Sequence, residues 1–211
     1  MNVGEDALHT FQRHRIKLFW SAGLLLTVFL FLFRPTWEDY QPHTFDMEVF
    51  IVLTGVAFVG VGIMGRLWCT LYIGGRKAGE LVQSGPYSVC RNPLYLFSTL
   101  AALGVGAQTG SILVALICGF VAALFLHFTA KREERFLREK FGAAYERYRS
   151  RVPAFLPDWR LFQDPDAIEI RPKRLYRTLL DGLAFYMMAP AYQLIETLQD
   201  GGALPILVRL F

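Results

Sequence analysis

The sequence predicts an all-α fold, a polytopic integral membrane helical bundle with four to five transmembrane helices. Two observations predict it. First, 54% of the 211 residues are hydrophobic and only 19% are charged, whereas soluble domains carry about 25% charged residues. Second, long apolar runs recur along the chain, and about 20 such residues cross a hydrocarbon core as a helix. The apolar content excludes a disordered chain, and three cysteines without a CxxC pair exclude a disulfide scaffold.

Four apolar runs are predicted to cross the membrane. They lie at residues 16–33, 45–65, 94–108 and 112–128. The third run is short, and an uncharged turn at 108–111 joins it to the fourth as a helical hairpin. A signal peptide is the weaker interpretation of the first run, because no small-residue cleavage site follows it. A fifth run at 179–198 contains Asp181, Pro190 and Glu196, and it either spans the membrane or lies partly in the interface.

The distribution of lysine and arginine predicts the orientation. Basic residues precede the first run and lie in the loop 66–93 and after residue 129, whereas the loop after the first run is mainly acidic. By the positive-inside rule, the N-terminus, the loop 66–93 and the segment after residue 129 face the cytoplasm. The net charge of +4 is therefore assigned to membrane contact, and no nucleic acid partner is predicted.

Residues 130–151 are predicted to form a charged amphipathic helix. Apolar side chains recur there at the three- to four-residue spacing of a helix face, and Val152-Pro153 ends the pattern. Residues 1–163 are thus expected to form a transmembrane core. Residues 164–211 are expected to add a basic segment, interpreted as a juxtamembrane lipid contact, and the fifth apolar helix.

The polar loop 79–95 is rich in Gly, Pro and Asn and directly precedes the third run. Irregular backbone at the membrane boundary must be buried in protein or line a polar cavity. Pro93 suits the first turn of the following helix, with Asn92 as its N-cap. Either the loop is simply a well-capped turn, or amide N–H groups at this helix start are exposed and bind a carboxylate.

Glu133 and Glu134 are adjacent acids in an otherwise basic segment. Either Glu134 pairs with Arg138 at the favoured i,i+4 spacing, or one acid turns inward toward a cationic or hydroxyl-bearing ligand. Gly60–Gly65 has the letters of a GxGxxG nucleotide motif but lies within a predicted span, which favours close helix packing instead. The four histidines show no metal-ligand spacing, so no metal site is predicted.

Two motifs lie on either side of the helical hairpin. The first is Gly85-Pro86-Tyr87 with Arg91-Asn92-Pro93-Leu94-Tyr95, and the second is Glu133-Glu134, Leu137, Phe141-Gly142, Tyr145 and Tyr148, followed by Val152-Pro153. Together, over residues 70–157, they resemble the membrane-embedded methyltransferases typified by isoprenylcysteine carboxyl methyltransferase and phosphatidylethanolamine N-methyltransferase. The family pattern is G-P-Y-x-x-x-R-[HN]-P-x-Y, a hairpin, and E-E-x-x-L-x-x-x-F-G-x-x-Y-x-x-Y.

The resemblance implies S-adenosylmethionine as cofactor, held in a cytoplasmic pocket formed by the loop, the hairpin and the charged helix. By position, the cofactor-binding residues would be Leu81, Val82, Gly85, Tyr87, Asn92, Pro93, Tyr95 and Glu133. The catalytic residues would be Glu133, Glu134 and Arg91. Eukaryotic carboxyl methyltransferases have histidine where this chain has Asn92. They have a histidine and an arginine where this chain has Gly79 and Thr129.

The resemblance therefore implies a methyltransferase that acts on a lipophilic, membrane-borne acceptor, nearest in its motifs to the carboxyl methyltransferases. A phospholipid (amine) N-methyltransferase is the alternative within this class. A non-catalytic membrane scaffold or a transporter subunit is the alternative from another class. The expected partners are the bilayer and a membrane lipid or lipophilic small molecule; the sequence leaves the oligomeric state open. The expected location is the inner membrane of a bacterium or the endoplasmic reticulum of a eukaryote, with the active site facing the cytoplasm.

Overall fold

The structure is a computed structural model that describes residues 33–35, 47–73, 79–203 and 208–210. The first predicted span lies almost entirely outside these residues. The chain divides into two units, Gln41–Ala191 on the one hand and Met1–Tyr40 with Tyr192–Phe211 on the other. In the smaller unit the described strands β1 (Phe33–Pro35) and β2 (Val208–Leu210) pair in parallel, with Phe33 opposite Val208.

Helices make up nearly all of the remaining described structure. In chain order they are α1 (Met47–Ile73), α2 (Pro86–Val89), α3 (Pro93–Ala107), α4 (Ile112–Phe141), α5 (Ala143–Arg151), α6 (Pro172–Leu183) and α7 (Met188–Asp200). Two short 3₁₀ helices, Trp159–Leu161 and Ala184–Met187, accompany them. The predominance of helix agrees with the predicted all-α fold.

Two described helices are long and apolar enough to cross a membrane, whereas the sequence predicts four to five spans for the whole chain. They are α1 with 27 residues and α4 with 30. α1 contains residues 47–65 of the second predicted span, and α4 contains the fourth. The third predicted span forms α3, which has 15 residues, and a turn joins it to α4 as the expected hairpin. The fifth apolar run is divided between α6, the 3₁₀ helix Ala184–Met187 and α7.

Small residues allow α1 and α3 to pack closely. A Cβ atom on Gly62 would lie 2.7 Å from the Cβ atom of Ala101, and one on Gly104 would lie 2.6 Å from the carbonyl oxygen of Gly55. Because these separations are too short for ordinary contacts, only glycine fits at both positions. The string Gly60–Gly65 lies inside α1, so its predicted role in helix packing is confirmed.

The predicted helix 130–151 is divided in the structure. Residues 130–141 continue α4 without interruption. The helix ends at Gly142, whose φ is +50°. Arg138 Nε and Glu146 Oε1 approach to 2.6 Å across the break and connect α4 to α5. The second helix ends at Arg151, directly before Val152-Pro153 as predicted.

Candidate active site

The loop 79–92 takes its shape from the segment that follows α5. The backbone N–H of Arg91 donates to the carbonyl of Pro153 (2.9 Å), and that of Asn92 donates to Ala154 (3.2 Å). The backbone N–H of Asp158 donates to Val89 (3.0 Å). The N–H groups of Arg91 and Asn92 are therefore occupied, and the expectation that they are exposed to bind a carboxylate is wrong for both.

Gly85 sets the turn that leads into α2. Its φ of +58° with ψ of −130° lies in a region that only glycine adopts readily. A Cβ atom at this position would also meet the ring of Tyr72. The N–H of Gly85 donates to the carbonyl of Gln163 over 2.7 Å, and Ser88 Oγ donates to the carbonyl of Gly85 over 2.7 Å. The turn is thus fixed from both sides.

Asn92 and Glu134 connect the loop to α4. The side-chain amide of Asn92 donates to Glu134 Oε1 over 3.0 Å and to the carbonyl of Ala154 over 3.1 Å. Although Asn92 occupies the N-cap position of α3, its side chain makes no capping hydrogen bond. The predicted N-cap position is therefore confirmed, but the side-chain amide donates to Glu134 and Ala154 instead of capping the helix.

Arg91 completes a charged group with Glu134. Its Nη2 atom lies 3.6 Å from Glu134 Oε1, and the two side chains are only 11% and 22% exposed. Of the two interpretations of the acidic pair, the pairing of Glu134 with Arg138 is not found, since Arg138 pairs with Glu146. Of the three residues predicted to be catalytic, the structure brings Arg91 and Glu134 together.

Three tyrosines lie beside this charged group. The Tyr148 hydroxyl donates to the carbonyl of Tyr87 over 2.8 Å, and the rings of Tyr145 and Tyr148 pack edge to face with 6.1 Å between centroids. Burial raises the pKa of Tyr87, Tyr145 and Tyr148 above the ordinary tyrosine value. Glu133 near Tyr87 and Glu134 near Tyr145 raise these pKa values further. All three phenols are consequently neutral at physiological pH.

Several buried donors on these residues have no partner in the described part of the chain. They are Arg91 Nε, Arg91 Nη1, the Tyr87 hydroxyl and the Tyr145 hydroxyl. Leaving one buried polar group unpaired costs about 1–3 kcal/mol. Four such atoms therefore lie on Arg91 and on two of the three tyrosines beside it.

The other predicted site residues surround this group. Leu81 packs against the cluster of Tyr145, Tyr148 and Val152, whereas its neighbour Val82 packs against the cluster of Cys69, Tyr72 and Tyr87. Pro93 starts α3, and Tyr95, in the first turn of that helix, is buried. Glu133 is partly buried and forms no hydrogen bond or salt bridge with the described residues, although it lies close enough to Tyr87 to interact electrostatically.

Two features of the site are not assigned by the sequence. Tyr145 and Tyr148 do not stand among the predicted site residues, although the Y-x-x-Y motif contains both. The segment 153–164, which contacts the loop over most of its length, carries no pattern that predicts these contacts. Among the described residues, no three His, Cys, Asp or Glu side chains lie close enough to hold a metal ion.

Comparison with known proteins assigns the chain to a family. The family model described as phospholipid methyltransferase matches residues 48–144, which contain α1, the loop, the hairpin and the acidic pair. The chain belongs to the phospholipid methyltransferase family. No solved structure matches it significantly.

The chain is also similar to three individual proteins with different names. The chain is 32% identical to the nickel-cobalt-cadmium resistance protein NccN of Alcaligenes xylosoxydans xylosoxydans, over 94% of this chain and 90% of that protein. It is 33% identical to the cobalt-zinc-cadmium resistance protein CzcN of Cupriavidus metallidurans, over 94% and 89%. A shorter match, 34% identical over 77 residues, links it to protein-S-isoprenylcysteine O-methyltransferase of Schizosaccharomyces pombe, over 36% of this chain and 33% of that enzyme.

Proposed function

We propose that this integral membrane protein transfers a methyl group from S-adenosylmethionine to a lipophilic acceptor in the bilayer. The observation that carries the proposal is the set of buried, unpaired donors on Arg91, Tyr87 and Tyr145. They lie inside or next to the segment that matches the methyltransferase family model. A structural cluster alone would leave no reason to bury so many unpaired polar atoms.

The residues present fit the chemical groups of S-adenosylmethionine. The free nitrogens of the Arg91 guanidinium suit its carboxylate, and the tyrosine hydroxyls suit its other polar groups. Tyrosine rings and the carboxylates of Glu133 and Glu134 suit a positive sulfonium. When bound, the cofactor supplies the methyl group, and the sulfonium charge is lost as the methyl group leaves.

The protein's own residues position groups and exclude water. Asn92 and Arg91 both contact Oε1 of Glu134, so the carboxylate stabilises positive charge without changing its orientation. Glu133 has no such partner and is free to accept a proton. A proton acceptor is needed if the substrate is an amine, and no base is needed if the substrate is a carboxylate. Whether activity requires Glu133 therefore distinguishes an amine acceptor from a carboxylate acceptor.

Transfer of labelled methyl groups tests this proposal. Protein purified in detergent is incubated with methyl-tritiated S-adenosylmethionine and a bacterial lipid extract, and label in the organic phase is counted. We expect label in the lipid fraction with wild type and at least about a tenfold loss with Arg91→Met. Arg135→Met, at an exposed position of α4, is the matched control and should retain activity. If a folded wild-type protein transfers no label and binds no cofactor, the non-catalytic scaffold replaces this proposal.

A second proposed function concerns tolerance of divalent transition metals. It is supported by two proteins named for metal resistance, to which the chain is 32% and 33% identical over 94% of its length. Expression in a metal-sensitive bacterial host, followed by growth in nickel, cobalt, cadmium and zinc, tests it directly. Tolerance with wild type but not with Arg91→Met would link resistance to methyl transfer. Equal tolerance with both proteins would separate the two functions.

A further inference from the structure

A second polar cluster lies between the helices, outside the group around Arg91. Arg66 on α1 donates from Nη1 to Ser98 Oγ on α3 over 2.6 Å. Arg66 also attracts Asp181 on α6, although the two side chains form no salt bridge. The Nε atom of Arg66 is buried and has no partner among the described residues. The guanidinium therefore retains capacity to bind an additional anion.

The packing of α6 on α1 places Asp181 opposite Arg66. The hydroxyls of Thr178 and Thr70 lie 3.3 Å apart, and Gly182 lies against Ile63, to which an added Cβ would approach within 2.9 Å. As residue numbers rise along α6 they fall along α1, so the two helices are antiparallel. α6 thus forms one wall of the cluster, and Asp181 belongs to it.

Arg66 lies about one hydrocarbon thickness from the start of α1. It is about 28 Å along α1 from Met47 at a rise of 1.5 Å per residue, and the hydrocarbon core is about 30 Å thick. A charged residue inside a membrane-spanning helix is costly and generally has a functional or pairing reason. A span that begins at Met47 ends near Arg66, where the anionic group of a lipid reaches the guanidinium while its chains remain in the hydrocarbon.

The cluster is close to the proposed active site. Cys69, which lies about one turn from Arg66 on the same helix, packs in one buried cluster with Tyr72 and Tyr87. On α3, Ser98 donates to the carbonyl of Leu94, directly before Tyr95. Arg66 therefore lies about one helical turn, roughly 5 Å, from residues that contact the site around Tyr87.

We propose that Arg66 binds an anionic group of the methyl acceptor, a lipid phosphate or a carboxylate, while Ser98 and Asp181 orient the guanidinium. The inference rests on the proposed function and names one feature of the acceptor. Arginine suits this role because its planar donors match phosphate and carboxylate oxygens in pairs. The acceptor enters from the bilayer at the boundary between α1, α3 and α6. A lipid phosphate stays at Arg66 while another atom of the lipid is directed toward Tyr87, whereas a carboxylate at Arg66 is itself the group that accepts the methyl group.

Binding of two defined probes tests this site. Full-length protein in detergent is titrated with phosphatidylglycerol and, separately, with N-acetyl-S-farnesylcysteine, and bound complexes are counted by native mass spectrometry. We expect wild type to bind one of the probes and Arg66→Met to bind it about tenfold more weakly or worse. The probe that responds distinguishes a lipid phosphate from a carboxylate. Arg66→Lys, which keeps the charge but loses the paired donors, should fold and show an intermediate loss.

Arg177→Met is the matched control, since it removes the same charge from an exposed position of α6. It should leave probe binding unchanged. Binding of both probes that is equal in wild type and in Arg66→Met, or binding of neither probe by wild type, would overturn the inference. S-adenosylmethionine binding, measured in the same proteins by calorimetry, should not change with Arg66→Met. If wild type binds the cofactor but Arg66→Met binds the probes as wild type does, this inference alone is rejected. If wild type does not bind the cofactor, the proposed function is rejected.

Discussion

Asn92 donates a hydrogen bond to Glu134 over 3.0 Å, although 42 positions separate them in the sequence. This bond joins the loop before α3 to the part of α4 beyond the hairpin. Arg91 lies 3.6 Å from the same carboxylate oxygen. The two motifs that carry the family resemblance therefore meet in space at one carboxylate, and their wide separation in sequence is the length of the hairpin between them.

Asn92→Asp should weaken the fold because it places a second carboxylate against Glu134 and removes two donated hydrogen bonds. We expect a loss of about 2 kcal/mol in the free energy of unfolding, measured as a lower melting temperature in detergent. Adding Glu134→Gln should restore part of the loss, since the new amide donates to the carboxylate introduced at position 92. Simple additivity of the two single changes would contradict a direct contact.

Gly85→Ala should destabilise the loop, because φ of +58° is unfavourable for alanine and the new methyl group meets Tyr72. The expected cost is about 1–3 kcal/mol, read as a lower melting temperature. Gly79→Ala is the matched control, since no atom lies within 4 Å of an added Cβ there. Equal melting temperatures for the two variants would argue against the described turn.

Tyr148→Phe and Tyr145→Phe should differ, although each removes one buried hydroxyl. The Tyr148 hydroxyl donates to the carbonyl of Tyr87 over 2.8 Å, so its loss should cost about 1–3 kcal/mol of stability. The Tyr145 hydroxyl has no partner in the described chain, so Tyr145→Phe should not lower the melting temperature. Instead it should weaken cofactor binding by about fivefold, the value of one hydrogen bond. If Tyr145→Phe lowered the melting temperature and Tyr148→Phe weakened only cofactor binding, this assignment of the two hydroxyls would be contradicted.

The Cys90 thiol should react with alkylating agents only at high pH. Burial raises its pKa from the ordinary value to about 11, so the folded protein favours the neutral thiol. This contribution to stability is complete below the ordinary thiol pKa and is lost as the pH rises through about 11. In a variant with Cys69→Ser and Cys118→Ser, the alkylation rate should rise up to that pH. Protein unfolded in detergent provides the control. If the alkylation rate of the folded protein reached its midpoint at the same lower pH as that of the unfolded protein, the burial of the thiol would be contradicted.

The helices of the hairpin could be predicted because their signal is local. Apolar runs, the glycines that pack α1 on α3, and Pro93 at the start of α3 each act within a few residues of sequence. The break at Gly142 could not be predicted because the apolar spacing continues across it, and only the positive φ of this glycine interrupts the helix. The spacing of apolar residues does not predict the backbone angle of a single residue.

The contacts that build the candidate site could be predicted only in part. The resemblance places Arg91, Asn92 and Glu134 in one motif set, and the structure brings them together. The carbonyls of Pro153 and Ala154, which bind the loop, could not be predicted because backbone acceptors have no sequence signature. From the sequence Arg66 is only one basic residue among several, since its position opposite Ser98 depends on how α1 and α3 pack.

Calorimetric titration of the purified protein with S-adenosylmethionine tests the central claim most directly. We expect saturable binding to wild type, a loss of about tenfold or more with Arg91→Met, and a smaller loss with Glu133→Ala. The melting temperature of each variant shows whether it is folded. A folded wild-type protein that releases no heat of binding with the cofactor would contradict the account.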